Sequence, residues 1–200
     1  SADRILYGFG TIGTELPEPG KCVSKPESGV IMRFGAVEKC EASEKAGKAL
    51  EKLFNDGGCE TVFEEDIRPF VWKKAISNSG YNTLSALLRL KVGFILDSDE
   101  GCELIKRIWS EGCDVAQAVT GVDLWPDMEL ELPRLKEGFA DYYPSMAQDV
   151  LMHHRQTEVK LLNGAIADYG RLYGVDTPVN DAVTLMVGAI QENYENQYKN

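Results

Sequence analysis

The spacing of apolar side chains changes character once along this chain. Between residues 4 and 65 the apolar runs are short and partly alternating. "RILYGFG" and "GVIMRFGAVE" carry the β-branched and aromatic residues of strands, and "CETVFEE" reads as one more. The Pro- and Gly-rich "ELPEPGKCVSKPESG" separates the first two. A short helix precedes the third, with Ser43 as N-cap, Ala46, Ala49, Leu50, Leu53 and Phe54 on one face, and Gly57-Gly58 closing it. From Asp66 onward the period is helical. Asp66 caps a helix reaching about Leu88, and a second ends at Gly121. A third covers "DMELELPRLKEGFADYY" with a proline interruption, a fourth follows Pro144, and Thr157 caps a fifth. Thr177-Pro178 opens the last, with Val179, Ala182, Val183, Met186, Val187 and Ile190 on its buried face. The fold class is therefore α+β: a mixed β/α piece over 1–65, then an all-helical piece over 66–200.

Gly8, Gly10 and Gly13 spell G-x-G-x-x-G directly after the first strand. A dinucleotide-binding turn needs a helix immediately after the third glycine, to receive the pyrophosphate on its N-terminus. Pro17, Pro19 and Gly20 stand there instead, and a helix cannot propagate through them. The glycines read as turn and close-packing positions in a sheet.

Charge and cysteine content narrow the classes. A formal net charge of −11 without any basic cluster argues against nucleic acid as a partner. No apolar run reaches the 18 or so residues of a membrane span, and no basic-then-apolar segment at its start suggests secretion. Cys22, Cys40, Cys59, Cys102 and Cys113 are odd in number and lack zinc-like spacing, so reduced, mostly buried thiols of a cytoplasmic protein are expected. His153 and His154 are the only histidines. With Glu158 four residues after His154 they supply too few ligands for a metal site, and no metal is expected.

Two polar groups break the pattern. The inward stripe begun by Ile67, Phe70 and Val71 continues through Lys74, Asn78, Tyr81, Asn82 and Ser85, with Lys73 outside and Trp72 and Ile76 on a flank. Burying a lysine is costly unless it is paired or has a task. A solvated groove with the ammonium reaching out gives the same spacing. Glu158 follows Thr157 and so falls in a helical first turn, where the macrodipole favours a carboxylate.

These residues bring a family into view. "VWKKAISNSGYNTLSAL", "PSMAQDV…TEVKLLNGAI" and "GVDTPVN" resemble, in order and spacing, the C-terminal half of the ketopantoate reductases (2-dehydropantoate 2-reductases). Their pattern is W-x-K-x-x-x-N-x-x-x-N, then S-M-x-x-D and T-E-x-x-x-x-N-G, then T-P-x-N. The resemblance implies a 6-phosphogluconate-dehydrogenase-like helical domain after the end of a Rossmann-type domain. Roughly a hundred residues, the first mononucleotide-binding half and main cofactor site, would lie upstream. It also implies reduction of ketopantoate to pantoate with NADP(H), on the pantothenate and coenzyme A route. Lys74 would be the general acid. Asn78 and Asn82 would line the substrate cleft, Ser145 would help hold the substrate, and Glu158 would stand beside substrate hydroxyl and lysine. The chain alone is expected to be inactive.

The chain departs from the family pattern at four places. Thr83 replaces a usual proline, and Tyr142 stands where an asparagine is frequent. Another expected asparagine falls near Val92. Ser145 and Glu158 are one residue farther apart than usual, which the joint at His153–Arg155 must absorb. These departures keep open a reductase of another 2-keto acid. A non-catalytic helical module for homodimerisation or partner binding stays open as well.

Overall fold

The computed structural model describes residues 2–25, 30–138 and 140–197, at 13–17, 24 and 25 by their backbone alone. Contacts divide the chain into two units, Ser1–Val71 and Trp72–Asn200. The fold class is α+β, as the hydrophobic pattern predicts.

The first unit runs β1 (Leu6–Gly10), β2 (Gly13–Glu18), β3 (Lys21–Lys25), β4 (Met32–Ala36), α1 (Glu41–Asp56) and β5 (Thr61–Phe63). β4 is central, antiparallel to β1 and parallel to β5, with α1 as the crossover that a parallel pair requires. Gly8 pairs with Phe34, and a Cβ there would lie 2.1 Å from the Arg33 carbonyl oxygen, so this glycine is a close-packing residue. Gly13 opens β2, so strand follows strand and no helix N-terminus receives a phosphate. The Pro- and Gly-rich stretch is more than a separator. β2 and β3 form a hairpin across it, turning at Gly20 with φ 84°, while residues 26–29 lie outside the described part.

Two expectations for α1 need correction. Cys40, not Ser43, is its N-cap: the Cys40 Sγ accepts from Ser43 N–H while Ser43 Oγ accepts from Cys40 N–H. A thiol thus takes the hydroxyl's place in a capping box, with Ser43 at its third helical position. The apolar face also differs, since the buried residues of α1 are Ser43 and Gly47, and Leu53 is 65% exposed. Leu50 and Phe54 instead line a cavity of about 360 Å3 with side chains of β1 and β4, including Phe9, Met32 and Phe34.

The helical part begins with α2 (Arg68–Leu88), where Asp66 Oδ1 accepts from Arg68 N–H at 3.1 Å. There follow α3 (Val92–Leu96), α4 (Asp99–Thr120), α5 (Trp125–Glu129), α6 (Glu131–Gly138), α7 (Ser145–Gln148), α8 (Asn163–Tyr173) and α9 (Pro178–Gln191). α3 has no counterpart in the periodicity, because five residues are too few to show a helical repeat. The third expected helix is two, α5 and α6, parted at Leu130. Beyond Trp72, α2 is buried all round: Ile76, Gly80 and Asn82 through Ala86 are buried on different faces, which no single stripe describes. Trp109 of α4 lies against Gly80, where a Cβ would stand 2.3 Å from the indole Nε1, and that nitrogen donates to the Ser77 carbonyl at 3.2 Å. Ile76, Ile105, Ile108, Val115 and Ile166 complete this core. Met146, Val150, Val159 and Val187 form a second around α7 and α9.

On α9, Val183 and Val187 are buried as expected, but Ala182 and Met186 are exposed, so its buried stripe is narrower. Of the five cysteines only Cys113 is buried, and Cys22 is exposed. Among the described residues no helix is long and apolar enough to cross a membrane. Arg89 and His154 are the non-glycine residues with positive φ among those described, at 60° and 49°. Each costs about 1 kcal/mol relative to glycine in that conformation.

Candidate active site

α2 carries Lys74, Asn78 and Asn82 at i, i+4 and i+8, one line along the helix. Lys74 is half-buried, and burial of its ammonium pulls its pKa below the ordinary lysine value. Its neighbour Lys73 does not simply face water but donates to Asp127 of α5 at 3.2 Å. Asn78 Oδ1 accepts from the Tyr81 hydroxyl at 2.9 Å. Asn82 is 3% exposed, and its Oδ1 is the one buried side-chain polar atom among the described residues with no hydrogen-bond partner. Leaving a buried acceptor unmet costs about 1–3 kcal/mol. An acceptor held in this way is suited to a donor that arrives from outside.

Ser145 and Glu158 come together: the Ser145 hydroxyl donates to Glu158 Oε1 at 3.0 Å. The path between them differs from the one expected. α7 runs directly into a π-helical turn, Asp149–His153, ended by His154 in the left-handed region. A π-turn holds one more residue than an α-turn. The surplus residue between Ser145 and Glu158 is thus taken up just before the joint that the sequence suggested. Thr157 Oγ1 accepts from Val159 N–H at 3.2 Å, but the element it opens is a single 3-10 turn, Val159–Leu161. α8 begins only at Asn163, so Glu158 precedes the 3-10 turn and is not in an α-helical first turn. Gln191, at the end of α9, accepts from Thr157 N–H at 2.6 Å, and the Tyr194 hydroxyl donates to the Arg155 carbonyl at 2.8 Å. These two contacts fix the backbone just before Glu158.

A buried polar chain joins the helices beneath. Thr83 donates to Asn163 Oδ1 at 2.7 Å and touches Met146 Sδ at 3.5 Å, so the residues after Asn82 and after Ser145 meet. Asn163 Nδ2 donates to the Ser79 carbonyl and to Asn180 Oδ1, both at 3.0 Å. Asn180 Nδ2 donates to Glu111 Oε2 at 2.7 Å, and Glu111 also accepts from the backbone N–H of Val179 and Asn180, each at 2.9 Å. Glu111 of α4 therefore caps α9. Thr177 occupies the N-cap position without a side-chain cap bond and packs near Gly170 instead. Sequence reasoning missed Glu111, which no local signal marks. It met Asn163 and Asn180 only as letters of the N-G and T-P-x-N motifs. Val92 and Tyr142, two of the departures, are also neighbours: Val92 N–H donates to the Tyr142 carbonyl at 3.1 Å. Val92 is wholly buried and Tyr142 is 39% exposed.

The ketopantoate reductase PanE/ApbA C-terminal family matches residues 66–191. The chain belongs to this family. A 2-dehydropantoate 2-reductase of Aquifex aeolicus is 33% identical over 198 residues, which cover 92% of this chain and 62% of the relative. That of Streptococcus pyogenes is 32% identical over 149 residues, 74% of this chain and 48% of the relative. The chain thus spans about half to two thirds of the curated relatives it matches. Among solved structures, D-mandelate dehydrogenase with NADH superposes with a TM-score of 0.86 at 26% identity, over 96% of this chain and 64% of that one. The PanE/ApbA family ketopantoate reductase of Ralstonia eutropha superposes at 0.80 with 24% identity, over 95% and 60%, and shows the shared fold.

Proposed function

We propose that this chain is the substrate-binding and proton-delivering portion of an NADPH-dependent ketopantoate reductase, which converts 2-dehydropantoate to pantoate. The observation that carries the reading is the line on α2. A lysine with a lowered pKa shares it with an asparagine whose buried acceptor has no partner. On this reading the nicotinamide supplies hydride to the keto carbon, and Gly8, Gly10 and Gly13 take no part in holding it. Lys74 Nζ gives its proton to the carbonyl oxygen as the alkoxide develops, and the neutral amine regains a proton from water. Partial desolvation eases that transfer, because it destabilises the ammonium relative to the amine. Asn82 Oδ1 accepts from a substrate hydroxyl, and the Ser145–Glu158 pair offers a donor and an acceptor to the rest of the molecule. Dimerisation and a cytoplasmic location fit this reading but are not needed for it.

The experiment is NADPH oxidation with ketopantoate by this chain joined to the upstream half that its relatives carry. Lys74→Ala should lower kcat a hundredfold or more, an ordinary loss for a general acid. Turnover unchanged by Lys74→Ala would refute the role of the lysine, and absence of turnover in the parent would refute the substrate.

A second reading is reduction of a different 2-keto acid. It is favoured by Val92 and Tyr142, which stand where asparagines are expected and whose backbones are hydrogen-bonded, and by the 26% identity to a D-mandelate dehydrogenase. A keto-acid panel that includes the phenyl-substituted acid decides between the two by kcat/KM.

A further inference from the structure

At the C-terminal end of α2 the second unit carries a solvent-open cavity of about 830 Å3. Leu87, Val150, Leu151 and Ile190 form its apolar wall, and Arg89, His154 and Tyr194 are among its polar lining. A cavity of this order suits a small organic ligand, whose sites combine a mostly apolar wall with a few placed polar groups. Lys74 lies twelve helical residues before Ala86, the first lining residue of α2, roughly 18 Å at the rise of an α-helix, so the cavity does not reach the lysine, while Asn82 stands one turn from its wall.

The backbone at two of its residues sets the cavity apart. α4 and α8 end in left-handed residues that are glycines, Gly121 at φ 77° and Gly174 at φ 72°. That is the ordinary choice, because a Cβ is strained there. α2 and the π-turn also end in left-handed residues, yet these are Arg89 and His154, and both line this one cavity. The strain is accepted where a guanidinium and an imidazole can face the same space. Arg89 has no carboxylate partner among the described residues. The nearby Asp149 is already taken by Arg155, whose Nε lies 2.6 Å from its Oδ1. The His154 ring is held by stacking on Tyr194, 5.1 Å between centroids and 23° apart in plane.

We propose that this cavity binds a small amphipathic carboxylate, with its anionic end on Arg89 and His154 and its hydrocarbon chain on the apolar wall. Arg89 supplies the charge and a planar pair of donors, and the His154 ring N–H adds a further hydrogen bond. Val150–His154 joins Ser145 to Glu158 along the chain, so an occupant touches the segment that connects that pair.

The test is calorimetric or NMR titration of this 200-residue chain with octanoate, 1-octanol and inorganic phosphate as probes. Octanoate should bind saturably at one site, and 1-octanol and phosphate at least tenfold more weakly. Arg89→Gly and His154→Gly should each weaken octanoate at least tenfold while the thermal midpoint holds or rises, since glycine relieves the left-handed backbone. The proposal is overturned if octanoate fails to bind, if 1-octanol binds as tightly, or if the glycine variants keep the parent affinity. None of these readouts involves hydride transfer, so this proposal and the reductase reading fail separately.

Discussion

Removing the Glu111 carboxylate should destabilise the helical unit far more than a mid-helix surface acid normally would. Glu111 accepts from Val179 N–H, Asn180 N–H and Asn180 Nδ2, all within 2.9 Å. In Glu111→Ala the Val179 N–H, half-buried, can find water at a cost of about 0.5–1 kcal/mol. The Asn180 N–H cannot do so cheaply, because Asn180 is fully buried, and an orphaned buried donor costs about 1–3 kcal/mol. Loss of a charge at a helix N-terminus adds about 0.5 kcal/mol. Asn180 Nδ2 keeps the Ile108 carbonyl at 3.1 Å, so that group adds little. The expected total is about 3 kcal/mol, or a fall in Tm of roughly 10 °C for a unit of this size. Glu111→Gln retains a carbonyl acceptor and should lose only about 1 kcal/mol. All three tryptophans, Trp72, Trp109 and Trp125, belong to this unit, so their fluorescence in a denaturant titration reports it selectively. A loss under 1 kcal/mol in Glu111→Ala would show that solvent replaces the carboxylate and would refute the capping argument.

Two further predictions concern titration. Burial lowers the Lys74 pKa below 10.5, so between the lowered value and 10.5 the unfolded chain holds a proton that the folded one has lost. Stability attributable to this residue therefore rises with pH through that window. Denaturant unfolding of the parent and Lys74→Met at several pH values should show the gap between them narrowing as pH rises, and a constant gap would contradict the burial. Burial raises the Cys113 thiol from 9.0 to about 12, which leaves about a thousandfold less thiolate near pH 8 than an ordinary cysteine. Iodoacetamide with mass-spectrometric readout should therefore label exposed Cys22 while native Cys113 stays unmodified, and equal labelling of the two would overturn this.

The sequence made the long elements legible because their signals are local. Asp66, Gly121, Thr177-Pro178 and the apolar repeats between them mark helix ends to within a residue or two. The errors arise where a side chain answers to something distant. Ser43 has the composition of an N-cap, yet the reciprocal bond with Cys40 sets the helix three residues earlier. Thr177 has it too, but Glu111 reaches across from α4 and does the capping. Of the apolar row of α1, Leu50 and Phe54 face a cavity beside β1 and β4 while Leu53 is exposed, and spacing along one helix cannot tell which groove it will meet. Lys74, Asn78 and Asn82 were visible as polar residues at core spacing. Whether each is satisfied was not, because Asn78 is met by Tyr81 one turn along the same helix, while Thr83, beside Asn82, is met by Asn163 only through tertiary contact.

The two kinds of asparagine in this family pattern therefore separate on hydrogen bonding. Asn163 and Asn180 are fully buried with their amides engaged by α2, α4 and each other, and they tie α2 to α8 and α9. Asn82 is equally enclosed, but its acceptor is left without a partner one residue from Thr83, which is locked to Asn163. A scaffold residue gains from closing every bond it can make, whereas on the proposed reading Asn82 holds one open for substrate. Thr83 makes this possible, since its hydroxyl pins the backbone beside Asn82 while the Asn82 amide stays uncommitted. Proline at that position could not make that bond. The rigidity beneath the Lys74 line here thus comes from a hydroxyl–amide chain that runs from Thr83 to Glu111.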